Sequence, residues 1–327
     1  MKLIFLKIIA KLAKNFKLYK MFIEQAYKGN NKWWRVLLTA LLTSGIFIAS
    51  IIAYFLMTKE QIQSSYDLMK DIPNNLSLII NLVPFAFLLG LLFLLVYILN
   101  NRSILSLTTS RPKVDFKRIF FSFGLIVFIS IAGFLVSYFT DNSNIVWNFK
   151  PLNFFVLLFI SLILFPFQIG LEEYLFRGYF MQQIGIVVRN RWFPLLFTSI
   201  VFGLLHSANP EVAEMGFGVM IFYIGTGLLL GVMTLMDEGM ELALGFHFGN
   251  NLMVSLLITS EFSALQTDAL FKYSGVENTS NTLIEMIISI AITYPLILFI
   301  LAKKYKWTNW MEKLTGKVNP PDSIVNE

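Results

Sequence analysis

Eight long apolar segments divide the chain, and short polar stretches separate them. An α-helix needs about 20 apolar residues to cross a hydrocarbon core of ~30 Å, and most of the segments reach that length. The pattern predicts an all-α fold, a polytopic transmembrane helical bundle of about eight transmembrane helices. The predicted helices cover residues 36–57, 77–99, 118–139, 153–188, 192–208, 215–236, 241–260 and 283–302.

The fourth segment is too long for one straight crossing. As a single helix, residues 153–188 would extend about 54 Å at ~1.5 Å per residue, well beyond the ~30 Å core. Pro166 lies within it and lacks the N–H that the helical hydrogen-bond ladder needs. We therefore expect a kink or partial unwinding at Pro166, which would admit water and a substrate chain.

The composition supports a membrane protein and sets its orientation. Hydrophobic residues make up 56% of the chain and charged residues 14%, too few charges for the surface of a soluble domain of this size. There is no cysteine, which excludes disulfides, thiolate zinc sites and a cysteine nucleophile. If the N-terminus is inside, all but four of the 26 Lys and Arg residues fall on the inner side. The positive-inside rule then predicts that both termini are cytoplasmic.

The basic charge is concentrated at the inner side, which predicts contact with anionic lipids of the inner leaflet rather than with nucleic acid. Residues 1–32 interleave lysines with apolar residues, as in a basic amphipathic helix lying in the membrane plane. An ordinary basic flank of the first span is the alternative. Residues 33–304 are predicted to form one integral membrane domain, and residues 305–327 a cytoplasmic tail. The Asn-, Lys-, Ile- and Phe-rich composition is typical of an AT-rich bacterial genome, which points to a bacterial cytoplasmic membrane.

Ionisable side chains inside the predicted spans are candidates for function, because hydrocarbon makes each of them costly. A lone histidine on an apolar face is more often a satisfied core residue, yet here both histidines of the chain lie within spans. Single amides such as Asn81 and Gln168 are interpreted as hydrogen bonds between helices. The candidates are Glu172, Glu173, Arg177, His206 and His247, with the neutral Asn250 and Asn251 beside them.

Sequence spacing predicts the depth of three of these groups. Residues 189–191 form a predicted cytoplasmic hairpin tip, with Glu172 17 residues before Arg189 and His206 17 residues after it. Both therefore lie about 25 Å up antiparallel helices and face each other. His247 lies nine residues beyond Glu238 in the next hairpin, which leaves it roughly 10 Å lower unless helix tilt closes the gap. We expect all three to meet inside the membrane.

The spacing also separates the two glutamates by role. Glu173 and Arg177 are four residues apart in the favourable order for a helical ion pair, so we interpret them as a structural brace. Glu172 points about 100° away on the same helix and is left as a general base. His247 and Asn251 share a helix face and suit the stabilisation of an oxyanion.

With His206 as a proton carrier and water as the nucleophile, this set predicts hydrolysis of an amide bond within the membrane. Three motifs occur in order on separate helices, namely EEYLFR, FGLLH and HFGNN, at residues 172–177, 202–206 and 247–251. Together they resemble the CAAX protease and bacteriocin-processing family, also called Abi, over a core of about 118–260. The resemblance implies an intramembrane endopeptidase acting on a membrane-embedded or membrane-associated peptide or protein.

The resemblance also implies a role for each matching residue. Glu172 would be the catalytic glutamate that activates water, with His206 as its partner. His247 and Asn251 would orient water and bind the tetrahedral oxyanion, and Glu173 and Arg177 would hold the site in shape.

Two questions stay open at the level of sequence. Glu172, His206 and His247 could supply three ligands of a zinc ion, although the H-E-x-x-H pattern is absent and a glutamate-activated water needs no metal. The alternatives to a protease are a non-proteolytic membrane scaffold or bacteriocin self-immunity factor, and a transporter with a proton relay. Among bacterial roles, bacteriocin processing and immunity are not distinguished by any residue.

Overall fold

The computed structural model describes residues 21–261, 263–275 and 279–321. Helices make up most of this part of the chain. The α-helices are α1 Trp33–Leu56, α2 Lys59–Lys70, α3 Asn74–Ile98, α4 Ile104–Thr108, α5 Phe116–Thr140, α6 Pro151–Glu173, α7 Met181–Val188, α8 Trp192–Leu204, α9 Pro210–Met215, α10 Met220–Asp237, α11 Glu241–Leu257, α12 Thr279–Tyr305 and α13 Trp310–Thr315. Two short 3-10 helices, Ile23–Lys28 and Phe217–Val219, and a π-helix, Tyr174–Phe180, complete the helical set.

Each of the eight apolar segments is helical, which confirms the predicted helical membrane bundle. Six helical stretches are long and apolar enough to cross a membrane: Trp33–Leu56, Asn74–Ile98, Phe116–Thr140, Pro151–Val188, Phe217–Asp237 and Leu283–Tyr305. The other two predicted spans, α8 with 13 residues and α11 with 17, are shorter. The predicted eight spans are thus six full-length spans and two shorter helices within the bundle.

The α-helix of the long fourth segment is interrupted, but not at Pro166, where the sequence predicted the interruption. Helix α6 remains α-helical through Pro166 and ends at Glu173. The chain then forms the π-helix Tyr174–Phe180 before α7 continues in the same direction. A proline inside a membrane helix removes one hydrogen bond, which neighbouring groups can compensate. A π-helix inserts an extra residue per turn and commonly marks a functional site. Here it follows the two glutamates directly.

Helices α10 and α11 form the centre of the bundle. Helix α11 packs against α5, α6 and α10, while α10 packs against α8 and α12. The second half of α10 is almost entirely buried, and its apolar side chains form one core with those at the start of α11. The backbones of α5 and α11 approach closely at Gly245, where a Cβ atom would overlap the carbonyl oxygen of Ile119. This central position fixes the helices that carry the candidate residues.

A small three-stranded sheet lies at one end of the bundle. Its strands are β1 Ile145–Trp147, β2 Ile258–Thr259 and β3 Phe271–Tyr273, in the order β1-β3-β2. Strands β1 and β3 are antiparallel, with Val146 opposite Lys272, and β2 and β3 are parallel. The sheet ties the connection after α5 to the connection after α11.

The opposite end of the bundle, which we call the terminal face, holds the two hairpin turns at 189–191 and 237–240 together with both ends of the described chain. The backbone N–H of Phe22 donates to Glu238, and the Trp307 indole donates to Asp237 at 3.2 Å. Arg191 is fully buried and donates from Nη1 to Glu238 at 3.1 Å and to the carbonyl of Lys313 at 3.0 Å. Segments from both termini therefore cover the turn at 237–240.

The predicted in-plane helix over residues 1–32 stays a prediction for residues 1–20, which lie outside the described residues. From Met21 onward the chain packs into the protein: the 3-10 helix Ile23–Lys28 buries Ile23 and Ala26 completely. It contacts α7 and α4 at the terminal face. Beside it, burial lowers the pKa of Arg102 to about 10. That guanidinium donates to Ser106 and Gln182.

Candidate active site

Four parts of the helical bundle bring the candidate residues together. The last turn of α6 carries Glu172 and Glu173, and the π-helix that follows carries Arg177. His206 lies in the turn directly after α8, and His247 lies in the middle of α11. Helix α11 packs against α6, so residues about 75 positions apart in sequence come into contact.

Glu173 and Arg177 form the predicted ion pair, and both side chains are completely buried. Arg177 donates from Nη1 to Glu173 Oε1 at 2.9 Å and from Nη2 to the carbonyl of Gly227 at 3.0 Å. Its guanidinium also lies over the Phe202 ring, 4.5 Å from the ring centroid. The pair thereby connects α6, the π-helix, α8 and α10. The geometry agrees with the brace interpretation, but it includes a further contact.

That further contact is His247, which lies between the two glutamates. Its Nδ1 is 2.8 Å from Glu173 Oε1, and its Nε2 is 3.4 Å from Glu172 Oε2. An ionised carboxylate only accepts hydrogen bonds, so Nδ1 carries the hydrogen in the contact with Glu173. Glu173 therefore holds the histidine ring as well as the arginine.

The mismatch in depth that the sequence predicted for His247 does not occur. The count from Glu238 assumed that the turn before α11 lies at the surface of the bundle. In the structure Met240 and Glu241 are fully buried at this turn, where the Met240 N–H donates to the carbonyl of Thr108 at 2.8 Å and Glu241 pairs with Arg111 at 3.0 Å. The start of α11 therefore lies inside the protein rather than at its surface, and His247 comes into contact with Glu172.

Glu172 is held by a line of amides. Its Oε1 accepts a hydrogen bond from Gln168 Nε2 at 3.0 Å, and Gln168 Oε1 accepts one from Asn251 Nδ2 at 3.2 Å. Asn250 Nδ2 in turn donates to Asn251 Oδ1 at 3.2 Å. Among the described residues, the other oxygen of Glu172, Oε2, has no hydrogen-bond donor. The Glu172 side chain is 14% exposed, whereas that of Glu173 is not exposed at all.

A cavity of about 300 Å³ lies beside Glu172, bounded by α1, α3, α6, α8 and the connection after α11. His206 faces the same cavity, as do Gln168 and Asn209. Much of the remaining wall is apolar and includes Phe47, Phe85, Leu171, Phe176, Phe202 and Leu265. A mostly apolar cleft with a few polar groups is typical of a binding site for a small or extended apolar ligand.

His206 has a fixed orientation at the cavity wall. Its Nδ1 lies 2.8 Å from the carbonyl oxygen of Phe202, so Nδ1 carries the hydrogen and Nε2 remains free to accept one. The ring stacks on Tyr223, with centroids 4.4 Å apart and planes 19° apart. The Tyr223 hydroxyl accepts from Asn209 at 3.0 Å. Tyr223 and Asn209 thus position a histidine that shares a cavity with Glu172.

The segment of sequence that carries the three motifs matches the model of a known family. The sequence model described as Type II CAAX prenyl endopeptidase Rce1-like matches residues 151–253. This segment of the chain is similar to the Rce1-like family. This confirms the resemblance inferred from the three motifs, and the matched segment contains α6, all of the candidate residues and most of α11.

Over a longer stretch, the chain is similar to the uncharacterized protein YyaK of Bacillus subtilis (strain 168). The two are 28% identical over 243 residues, which cover 72% of this chain and 81% of the relative. No solved structure matches the chain. The similarity to the Rce1-like family therefore rests on sequence.

The possible zinc ligands that the sequence left open are not clustered in the matched segment of the chain. Among the described residues, no group of three or more His, Asp or Glu side chains is placed to hold a metal ion. His206 lines the cavity, whereas His247 approaches Glu172 from behind it and does not line the wall. The Glu172, His206 and His247 ligand set stays a prediction, and we derive no chemical step through a metal.

His247 and Asn251 also differ from their expected placement. Neither lines the cavity, and both lie behind Glu172 as its supports. Their predicted binding of an oxyanion stays a prediction. Gln168 is the residue that sequence reasoning underrated, because it was interpreted as a bond between helices. It lies four residues before Glu172, and that spacing alone places the two side chains on one helix face.

The rim of the cavity carries another residue that the sequence analysis missed. Glu211 on α9 accepts a hydrogen bond from the backbone N–H of Ala264 at 2.7 Å. Ala264 and Leu265 line the cavity, so this bond holds the connection after α11 against α9. Burial raises the pKa of the Glu211 carboxyl.

Proposed function

We propose that the protein is an intramembrane endopeptidase that hydrolyses a peptide bond of a membrane-embedded or membrane-associated protein. One observation carries this proposal. Glu172 lines an apolar cavity with its carboxylate held by Gln168, and His206 faces the same cavity. An anchored carboxylate beside a histidine suits the activation of water.

The proposed reaction begins with a water molecule in the cavity beside the Glu172 carboxylate. Glu172 takes one proton from it while the water oxygen forms a bond to the carbonyl carbon of the substrate. The Nε2 atom of His206 accepts a hydrogen bond from the second water proton and so orients the nucleophile. The tetrahedral intermediate then collapses, the C–N bond breaks, and Glu172 returns its proton to the leaving nitrogen.

The other polar residues serve to hold this geometry. Glu173 and Arg177 lock the end of α6 to α8 and α10, and His247 joins the two glutamates. For the predicted oxyanion role, the second Nδ2 hydrogen of Asn251 and, when the ring is protonated, the Nε2 hydrogen of His247 must reach the carbonyl oxygen once a substrate occupies the cavity. Preorganised donors of this kind contribute most when water is excluded.

We also propose the cytoplasmic membrane of a bacterium as the location, with both termini in the cytoplasm. The terminal face carries basic residues from several elements, including Arg118, Arg189, Lys304 and Lys313, whereas Lys150 and Lys272 lie at the opposite end. This asymmetry follows the positive-inside rule and suits contact with anionic lipids. The proposed partners are a membrane peptide or protein substrate and these lipids, and no nucleic acid.

The proposed function is tested by comparing the membrane proteomes of cells that carry the wild type or Glu172→Gln. We expect at least one membrane protein to lose a cleavage product in the variant, because glutamine keeps the shape of the side chain but accepts no proton from water. Glu285→Gln is the matched control, since it makes the same change at an exposed position on α12. Immunoblots and thermal melts check that all three proteins accumulate and fold.

If Glu172→Gln leaves every cleavage product in place, the protease proposal is wrong. A phenotype that persists in both Glu172→Gln and His206→Ala would instead support the scaffold or immunity factor.

Water activation by Glu172 makes a further prediction about metals. Cleavage of the peptide identified above should persist when the purified protein is titrated with a divalent-metal chelator, because the carboxylate itself is the base. Metal analysis of protein purified in mild detergent accompanies the assay. Loss of cleavage on chelation, restored by zinc, would contradict the proposed mechanism and support Glu172, His206 and His247 as ligands.

A further inference from the structure

The hydrogen bonds in the line of amides behind Glu172 all run in one direction, from donor to acceptor. Asn250 donates to Asn251, Asn251 donates to Gln168, and Gln168 donates to Glu172 Oε1, so each N–H points towards the carboxylate. The line crosses from α11 to α6. Asn251 and Gln168 each accept one hydrogen bond through the amide oxygen and donate the next one through the amide nitrogen.

The line ends in a bond that holds the Glu172 carboxylate. Gln168 Nε2 donates to Glu172 Oε1 at 3.0 Å, and a carboxylate oxygen is a good acceptor for such a bond. Linked hydrogen bonds also polarise one another, so the far members strengthen the last bond. The line therefore ties the Glu172 carboxylate on α6 to the two asparagines on α11.

The line also fixes the orientation of the Glu172 carboxylate. Oε1 accepts from Gln168, while Oε2 is buried and lies 3.4 Å from His247 Nε2. Because Gln168 itself lines the cavity, it fixes the carboxylate at the wall where a substrate would bind. Without this bond, Glu172 could rotate about its terminal torsion and lose the distinction between the two oxygens.

We infer that Gln168 is a positioning residue, which fixes the Glu172 carboxylate at the cavity wall where the attacking water would lie. The inference rests on the proposed function, because positioning matters only if Glu172 is the base. Gln168 belongs to none of the three motifs, and its position four residues before Glu172 on α6 gives it this role. The simpler interpretation is a hydrogen bond that only joins α6 to α11.

The structure offers a control for that simpler interpretation. Ser161 also lies on α6, is completely buried, and contacts Ser255 on α11 through their hydroxyl oxygens at 3.4 Å. Ser161→Ala removes a polar link between the same two helices without touching Glu172. Gln168→Glu has the shape of glutamine and can still accept from Asn251, but it loses the donor to Glu172. Gln168→Met removes both bonds with a side chain of similar length.

The first experiment measures infrared spectra of the full chain in lipid nanodiscs and does not depend on activity. Subtracting the Glu172→Gln spectrum assigns the carboxylate stretching band of Glu172. We expect this band to move in Gln168→Met, because a carboxylate that loses a hydrogen-bond donor changes its stretching frequency. It should stay in place in Ser161→Ala. A band that is the same in Gln168→Met and the wild type overturns the inference.

The second experiment measures cleavage of the membrane peptide that Glu172→Gln cells fail to process. Gln168→Glu and Gln168→Met should each lower kcat about 10- to 100-fold, the loss expected for one hydrogen bond to a charged group. KM should change little, since the effect is on the base. Ser161→Ala should retain wild-type kcat.

The outcomes separate the two proposals. An equal loss of kcat in Ser161→Ala and Gln168→Met means that Gln168 acts only through helix packing, which overturns the inference. If the infrared band moves as expected but no peptide depends on Glu172, the proposed function fails while the hydrogen-bond assignment to Gln168 stands.

Discussion

Replacing Glu173 with glutamine should destabilise the protein by about 3–5 kcal/mol, the usual cost of removing one partner of a buried ion pair. Arg177 is completely buried, and its remaining contacts are the Gly227 carbonyl and the Phe202 ring. Neither carries a negative charge that would neutralise the guanidinium. The melting temperature in detergent should fall by roughly 10 °C, given that about 1 kcal/mol corresponds to a few degrees in proteins of this size.

The same substitution should also reduce catalysis, because Glu173 Oε1 accepts the Nδ1 hydrogen of His247. The two effects can be separated with the double variant Glu173→Gln/Arg177→Met, which removes both charges. We expect it to regain much of the lost stability, as buried ion pairs replaced by neutral groups often do, while cleavage stays impaired. A Glu173→Gln variant that melts like the wild type would contradict the brace interpretation.

Replacing Gly245 with valine should largely prevent folding, with a loss of stability of about 4 kcal/mol or more. A Cβ atom at this position would overlap the backbone carbonyl of Ile119 and the Ser122 hydroxyl on α5. Backbone atoms cannot turn aside as a flexible side chain can, so α5 and α11 would have to separate. That movement would break the bond from Ser122 to the Leu242 carbonyl at 2.7 Å and displace His247, two residues further along α11.

Fluorescence-detected size-exclusion chromatography and thermal melts would measure this effect. Gly133→Val is the matched control: it makes the same substitution on α5 at a glycine whose Cβ would meet no atom within 4 Å. Gly133→Val should elute and melt like the wild type. A Gly245→Val protein that does the same would show that α5 and α11 are not in close contact.

The sequence was sufficient to predict the helices and the ion pair because these depend on local spacing. Apolar runs determine which segments are helical, and a separation of four residues determines that Glu173 and Arg177 meet. Counting from the hairpin at 189–191 also placed Glu172 and His206 at one level, and both now line one cavity. The count works because Glu172 and His206 are the same number of residues away from the turn, one before it and one after it.

The remaining features depend on packing between distant segments, which spacing alone does not encode. The start of α11, on which the position of His247 depends, is covered by residues 108–115, which bond to Met240 and Glu241. The break in the fourth segment follows Glu173 rather than Pro166, and no residue type marks a π-helix in a single sequence. The contact between His247 and both glutamates needs the α6–α11 interface, which exists only in the folded bundle.

The cover on the turn at 237–240 has a consequence for biosynthesis. Trp307 donates to Asp237, Lys313 accepts from Arg191, and the N–H of Val318 donates to the carbonyl of Arg189. These partners follow the helices that carry Glu172 and His247 along the chain, so the ribosome makes them later. Until residues 307–318 have been synthesised and have packed, the support beneath those helices is incomplete. The arrangement of Glu172 and His247 therefore depends on a segment that joins the bundle after the helices themselves.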